Sequence, residues 1–258
     1  MKIVVLVKRV PDTASVFKIA ADGRSVELGG LKFVMSPYDE HAVEEAIRLK
    51  EKMGAEVTVL SAGPPECKEV IRSALAMGAD AGTHLLLPGD MGYASRGVAK
   101  AIAAAVKTLE PDLILAGKQA VDDDAAQVPE RVAELLDIPH ASIVTRLECT
   151  ATSVTADCEM EGGQFTAELP LPALITAQKG LNTPRYPTLP NIMKAKKKEI
   201  RELTPDALGL SGDCMAAGMT VTAMALPRQQ RLGKILDGDT AQRVKELVRA
   251  LREDEKVL

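Results

Sequence analysis

The sequence predicts an α/β fold: a parallel doubly wound sheet with helices on both faces, then antiparallel strands and an extended C-terminal arm. Three observations carry this. Short apolar, β-branched runs are separated by stretches of helical periodicity, the alternation that builds a parallel sheet covered on both faces. Those runs lead into loops with Gly, Pro or polar residues. After Pro139 the alternation stops and strand-like runs follow one another directly.

Lys2 to Val7 is the first such run and reads as a central parallel strand. Lys8 to Thr13, with Pro11, is the loop at its carboxyl end. Val16 to Leu28 alternates around Asp22-Gly23, a hairpin-turn signal. A helix opens at Ser36-Pro37-Tyr38-Asp39. Ser36 suits its N-cap, Pro37 its first turn, and Asp39 and Glu40 the positive end of its dipole. Ala42, Val43, Ala46, Ile47 and Leu49 form its apolar stripe. Glu56 to Ser61 is the second strand and ends at Ala62-Gly63-Pro64-Pro65. Glu66 to Met77 is a helix that Gly78 stops. His84 to Leu87 is a strand, Ser95 to Leu109 an Ala-rich helix, Asp112 to Ala116 a strand, and Ala125 to Leu136 a helix.

Beyond Pro139, Ser142 to Leu147, Ser153 to Ala156 and Phe165 to Leu169 alternate only partly and read as antiparallel strands, with Gly162-Gly163 as a turn. Ala173 to Ala177 is a buried strand. Pro184, Pro187 and Pro190 exclude a regular helix or central strand from Leu181 to Pro190. Asn191 to Lys198 is a basic run. Leu203 to Leu226 has weak periodicity and reads as an arm lying over something else. Thr240 to Leu251 is an amphipathic helix capped by Asp239, with Val244, Leu247, Val248 and Leu251 as its stripe. The chain therefore divides into an α/β domain at 1–200 and an arm and helix at 201–258.

Composition narrows the function. At 258 residues and 46% hydrophobic, the chain can build a sizeable core. With 2% aromatics and no Trp, that core must be Val, Leu, Ile, Ala and Met. A net charge of −4 argues against nucleic acid as a partner, because affinity there rests on phosphate neutralisation. Cys67, Cys149, Cys158 and Cys214 have neither metal-ligand nor disulfide-frame spacing and read as buried free thiols in a reducing compartment. No signal peptide or membrane-length apolar run is present, so a soluble, cytoplasmic protein is expected. There is no Gly-x-Gly-x-x-Gly, no Walker loop and no Gly-x-Ser-x-Gly elbow. His41, His84 and His140 lack triad companions, so no catalytic residues and no metal ligands are assigned.

One stretch stands out. Gly117-Lys118-Gln119-Ala120-Val121-Asp122-Asp123-Asp124-Ala125-Ala126-Gln127-Val128 follows the strand ending at Ala116 and leads into a helix. In open α/β sheets that is where nucleotides bind: a glycine admits the ligand to the backbone, and free N–H groups at a helix start hold a phosphate. Three consecutive acids argue against a triphosphate lying on them. They suit ribose hydroxyls, and they equally suit an acidic helix cap in an ordinary loop. Arg9 to Thr13, Met35 to Asp39 and Ala62 to Pro65 converge on the same rim, which favours a ligand site.

Several motifs, in order, resemble the β (small) subunit of electron transfer flavoprotein over nearly the whole chain. They are Val7-Lys8-Arg9-Val10, Met35-Ser36-Pro37-Tyr38 with Ala42-Val43-Glu44-Glu45-Ala46, Ala74-Leu75-Ala76-Met77-Gly78-Ala79-Asp80, and Gly117 to Asp124. The strongest is Pro184-Arg185-Tyr186-Pro187-Thr188-Leu189-Pro190-Asn191-Ile192-Met193-Lys194-Ala195-Lys196-Lys197-Lys198. The resemblance implies an adenine-nucleotide-binding, Rossmann-like domain in a heterodimer with an α subunit that holds FAD near the interface. It also implies a structural AMP in this chain, with electrons passing from acyl-CoA or related dehydrogenases to a quinone oxidoreductase or other acceptor. By motif, AMP would contact Leu6, Ser36 to Asp39, Ala62, and Gly117 to Val128. Thr13 and Tyr38 match positions near the flavin ring. The family usually has Asn where Ser36 stands and often Cys where Ala62 stands. The proline-rich segment resembles the family's recognition loop, whose leucine, here Leu189, anchors in a dehydrogenase pocket. Pro190, Ile192, Met193, Lys194, Lys196, Lys197 and Lys198 would share that docking, and the arm and last helix would wrap the α subunit.

Two other readings stay open. Bifurcating members of the family hold a second FAD in place of AMP and use NADH. They tend to carry Asp-Gly-Asp-Thr where this chain has Asp122-Asp123-Asp124-Ala125, although Val10-Pro11-Asp12-Thr13 is a start common among them. A charged Asp123 should crowd a diphosphate, which favours AMP. From another class, the chain would be a stand-alone adenine-nucleotide-binding regulator; the Pro/Lys segment and the arm would then have no role.

Overall fold

The computed structural model describes residues 1–89, 94–210, 218–227 and 233–258. In chain order the elements are strands β1 (Lys2–Leu6), β2 (Arg9–Pro11) and β3 (Phe33–Met35), helix α1 (Pro37–Met53), β4 (Glu56–Gly63), α2 (Lys68–Met77), β5 (Ala81–Leu86), α3 (Ser95–Lys107), β6 (Leu113–Gly117) and α4 (Val128–Leu136). They continue with β7 (His140–Cys149), β8 (Ser153–Met160), β9 (Gly163–Pro170), β10 (Ala173–Ala177), α5 (Leu189–Lys197), β11 (Ile200–Leu203) and α6 (Thr240–Arg249).

Nine strands form one sheet in the order β11-β5-β4-β1-β6-β10-β7-β8-β9. β1 lies at the switch point. The chain moves outward from it through β4 to β5, then returns to its other side at β6. Strands from β11 to β7 pair in parallel, and β7-β8-β9 is an antiparallel meander. The three runs expected to be antiparallel after Pro139 form that meander, and β7 also pairs in parallel with β10.

Side-chain alternation along the central strands sends residues to two cores. Ile3, Val5, Val57, Val59 and Leu115 pack with α1 and α2; Val4, Leu60, Ile114 and Leu174 pack with α3 and α4. Every residue of β6 and β10 is buried, as a strand covered on both faces requires. Small Ala side chains on α3 (Ala99, Ala101, Ala103 and Ala105) are all buried and let that helix lie close to its neighbours.

Three expectations need correction, and a fourth is met in part. The helix placed at Ala125 to Leu136 begins at Val128, because Asp124 and Ala126 adopt positive φ and cannot continue a right-handed turn. At Val16 to Leu28 the chain turns back at Asp22-Gly23 as the hairpin signal predicts, with one antiparallel bridge, Ile19 to Val26, in place of two paired strands. The basic run after the prolines is a helix: Pro190 occupies its first turn, where its missing N–H costs nothing, and Thr188 Oγ1 accepts from the Asn191 N–H at 3.4 Å. Finally, the parallel sheet extends past residue 200, because β11 pairs with β5. Asp239 caps α6 as expected, through a capping box with Gln242.

Cys67, Cys149 and Cys158 are buried free thiols, and Cys214 lies outside the described residues. Part of the expected arm, 211–217, also lies outside them. Among the described residues, no helix is long and apolar enough to cross a membrane.

Candidate functional site

A cavity of about 660 Å³ lies over the carboxyl ends of β1, β4 and β6, at the switch point. Its inner wall is apolar: Leu6 from β1, Leu60 and Ala62 from β4, Ala116 from β6, and Leu87, Val98 and Ile102 from the α3 side. The loop from Gly117 to Val128 supplies the adjoining wall through Gly117, Gln119, Ala120, Val121, Asp122, Asp123, Ala125, Ala126, Gln127 and Val128. The outer wall is a flap between β2 and β3 that brings Pro11, Thr13, Phe17, Val26, Leu28 and Phe33 over the opening.

Gly117 is where β6 and the start of α1 meet. A Cβ there would sit 2.5 Å from Asp39 Oδ1 and 2.7 Å from Tyr38 Cβ, so only glycine allows the approach. Asp39 joins three elements. Its carboxylate accepts from the Lys8 N–H at 2.7 Å and from the Gly117 N–H at 2.9 Å, ending β1 and β6 on one side chain. Burial pushes its pKa up to about 7 against those two N–H groups, which favour the charged form.

Lys8 Nζ binds Asp122 at 2.9 Å and Asp123 at 3.1 Å, fastening the acidic loop across the cavity mouth. Burial lowers the pKa of this ammonium, but Asp122 and Asp123 outweigh burial and hold it above its ordinary value. The loop also braces itself: Gln119 Nε2 donates to Asp124 at 2.7 Å, the Ala125 N–H to Asp123 at 3.1 Å, and Ser95 Oγ to Gln127 at 2.9 Å. The N–H groups of Ala126, Gln127 and Val128 make no hydrogen bond with another described residue. They are the donors that an anion at the start of α4 would use. Under the flap, the Arg9 guanidinium lies 3.7 Å from the centre of the Phe33 ring and binds Glu69 at 3.2 Å.

Of the residues expected at the nucleotide, Leu6, Asp39, Ala62 and most of Gly117 to Val128 line this cavity, as does Thr13. Ser36, Pro37, Tyr38, Lys118 and Asp124 lie off its wall. Ser36 is the N-cap residue of α1, but its hydroxyl is buried with no partner and makes no cap bond. Lys118 Nζ instead lies 5.2 Å from the Tyr38 ring centre. Lys8, Phe17, Val26, Leu28, Phe33 and Cys67 were not expected at the site. Lys8 follows directly from a central strand, a position that could have flagged it. The flap residues carried no such signal, because their place depends on how a hairpin folds back.

The expected docking residues form a second surface. α5 exposes Leu189 at 78%, and Pro190, Ile192, Met193, Lys194, Lys196 and Lys197 are exposed with it. Lys198 differs: its Nζ donates to the Ala79 carbonyl at 2.6 Å, so it anchors the segment. The helix is held at both ends. Arg72 donates to the carbonyls of Ala195, Lys196 and Lys198, and Arg185 forms a forked pair with Glu44 and Glu51 of α1.

The chain is similar in sequence to known proteins. The family model described as electron transfer flavoprotein domain matches residues 26–208. Electron transfer flavoprotein subunit beta of Bacillus subtilis (strain 168) is 40% identical over 259 residues, covering 100% of both chains. The protein of that name from Homo sapiens is 41% identical over 238 residues, covering 90% of this chain and 91% of its own. Electron transfer flavoprotein subunit beta, mitochondrial, of Oryza sativa subsp. japonica is 39% identical over 261 residues and covers 100% of both chains.

Proposed function

The chain belongs to the electron transfer flavoprotein β-subunit family, and from that premise we propose that it binds a structural AMP in the cavity at the switch point and helps enclose the FAD of an α subunit. As a β subunit of an electron carrier, it has an α-subunit partner. In the proposed cycle the heterodimer takes electrons from acyl-CoA-type dehydrogenases and delivers them to a quinone oxidoreductase or another acceptor. A cytoplasmic location belongs to the same proposal.

One observation carries the AMP assignment: the cavity over β1, β4 and β6 is walled by the Gly117–Val128 loop, with N–H groups at the start of α4 that bond no other described residue. An adenine ring suits the apolar slot formed by Leu6, Leu60, Ala62 and Ala116. A single phosphate suits the N–H groups of Ala126 to Val128, while Asp122 and Asp123, already paired with Lys8, leave little room for a second. Thr13, on the cavity wall, and Tyr38, beside Gly117, are assigned to the flavin side.

The exposed Leu189 on a braced α5 suits dehydrogenase docking. One leucine entering an apolar pocket contributes about 1.5–3 kcal/mol, and the flanking lysines speed encounter with an acidic partner. The 201–258 segment is assigned to the α subunit, because α6 leaves Val244, Leu247 and Val248 exposed along one stripe.

A second reading has its own support. The cavity continues beyond the loop to Phe17, Val26, Leu28 and Phe33, apolar space that a mononucleotide would not use. A second FAD, as in bifurcating relatives, would use it. Acid release of nucleotides from the copurified heterodimer decides between the two. One FAD and one AMP per heterodimer is the expected result; two FAD and no AMP would overturn the AMP assignment.

A further inference from the structure

His84 is fully buried on β5, in register between Ser61 of β4 and Glu202 of β11. Its Nε2 lies 3.0 Å from the Gly63 carbonyl and 3.1 Å from the Pro64 carbonyl. Both are acceptors only, so Nε2 carries the hydrogen and donates to the pair. Its Nδ1 faces the Glu202 carboxylate at 3.5 Å, and Lys68 Nζ holds that carboxylate at 2.6 Å. Lys68, and then His84, keep the Glu202 carboxyl below its usual range.

Gly63 and Pro64 are part of the nucleotide cavity wall. Gly63 has φ +145°, and a Cβ there would meet Cys67 Sγ at 2.7 Å, so the turn is close-packed and strained for any other residue. Its carbonyl also accepts the Leu87 N–H at 3.0 Å. The imidazole therefore ties one wall of the cavity to β5, whose neighbour β11 directly follows α5.

We propose that His84 is a positioning residue: its Nε2–H fixes the Gly63-Pro64 wall in the shape that retains the nucleotide. This rests on the AMP assignment above. The bond is worth making here because the His84 ring is fully buried, so its Nε2–H, taken from water, needs these carbonyls as acceptors.

The test is the rate of AMP loss from the intact heterodimer during gel filtration into AMP-free buffer, with FAD content and circular dichroism read on the same samples. His84→Gln places an amide nitrogen close to the Nε2 position, while His84→Phe keeps the ring and removes the donor. His84→Phe should lose AMP about tenfold faster than wild type, and His84→Gln should stay within about twofold of it. If His84→Phe fails to assemble, His84→Asn, whose amide falls short of the carbonyls, takes its place with the same expectation. Equal AMP retention in the donor-bearing and donor-lacking variants, whether both high or both low, overturns the proposal. Absence of AMP from the wild type is a different failure and overturns the AMP assignment itself.

Discussion

Gly117→Ala tests the contact on which the site is built. The new methyl group would lie 2.5 Å from Asp39 Oδ1, 2.8 Å from the Asp39 backbone nitrogen and 2.7 Å from Tyr38 Cβ. Reaching ordinary contact at 3.4 Å requires Asp39 Oδ1 to retreat by 3.4 − 2.5 = 0.9 Å. That retreat would stretch the 2.9 Å hydrogen bond from the Gly117 N–H beyond hydrogen-bonding range. Two of the three close atoms belong to backbone or Cβ, so no side-chain rotation relieves the clash. Overpacking of this kind costs about 1–3 kcal/mol, and loss of a hydrogen bond to a buried charged group about 1.5–3 kcal/mol. Together they predict a loss of about 2.5–6 kcal/mol. Urea unfolding of the heterodimer at fixed subunit concentration measures it, with nucleotide content read on the same preparation. Gly163→Ala is the control: nothing lies within 4 Å of a Cβ there and its φ is not positive. It should change stability by less than about 0.5 kcal/mol. Gly117→Ala should also carry less AMP, because α1 and the loop share this contact. If the two variants unfold alike and carry equal AMP, the argument that Gly117 sets the spacing of α1 and β6 is wrong.

Other perturbations follow from the same geometry. Asp39 has its folded pKa raised from 3.8 to about 7, so between those values the native state holds a proton that the unfolded chain has lost. Stability from this group is thus full below about pH 4 and falls as pH rises towards 7, by up to about 4 kcal/mol. The difference between Asp39→Asn and wild type should therefore shift in the variant's favour across that window, and parallel stability–pH curves would refute the assignment. Arg185→Met would leave the buried Glu44 carboxylate facing one fewer cation. Because the Arg185 side chain is 35% exposed, the expected loss is about 1–3 kcal/mol in urea unfolding, with faster proteolysis between residues 181 and 198; unaltered cleavage would exclude the anchoring role. Leu189→Ala should slow flavin reduction by the donor dehydrogenase about tenfold or more with flavin content intact, and unchanged stopped-flow kinetics would remove Leu189 from the docking surface.

The parallel core was legible because its signals are local. Buried strands such as Leu113–Gly117 are apolar along their whole length, and the helix stripes repeat at helical spacing. The rim was legible too, since in an alternating β/α order the loops after parallel strands must emerge on one edge. The loops that hold Asp39, Ala62 and Gly117–Val128 therefore follow from the order of elements, whereas Leu6 follows from the family resemblance.

What only the tertiary structure decided depends on residues far apart in the chain. Asp39 reads as a helix-dipole carboxylate; its place between the N–H groups of Lys8 and Gly117 follows from β1 and β6 becoming neighbours. Lys198 reads as one more surface lysine, yet the 2.6 Å bond to Ala79 turns it inward. Pro190 reads as a helix breaker until its position at the start of α5 is seen, where the missing N–H has no partner to lose. The flap residues Phe17 and Phe33 have an amphipathic pattern that suits either face of a hairpin, and only its packing over the cavity selects one. Short-range pattern is written in the order of residues. Juxtaposition is not, because the same local pattern is compatible with many partners until the sheet brings distant segments together.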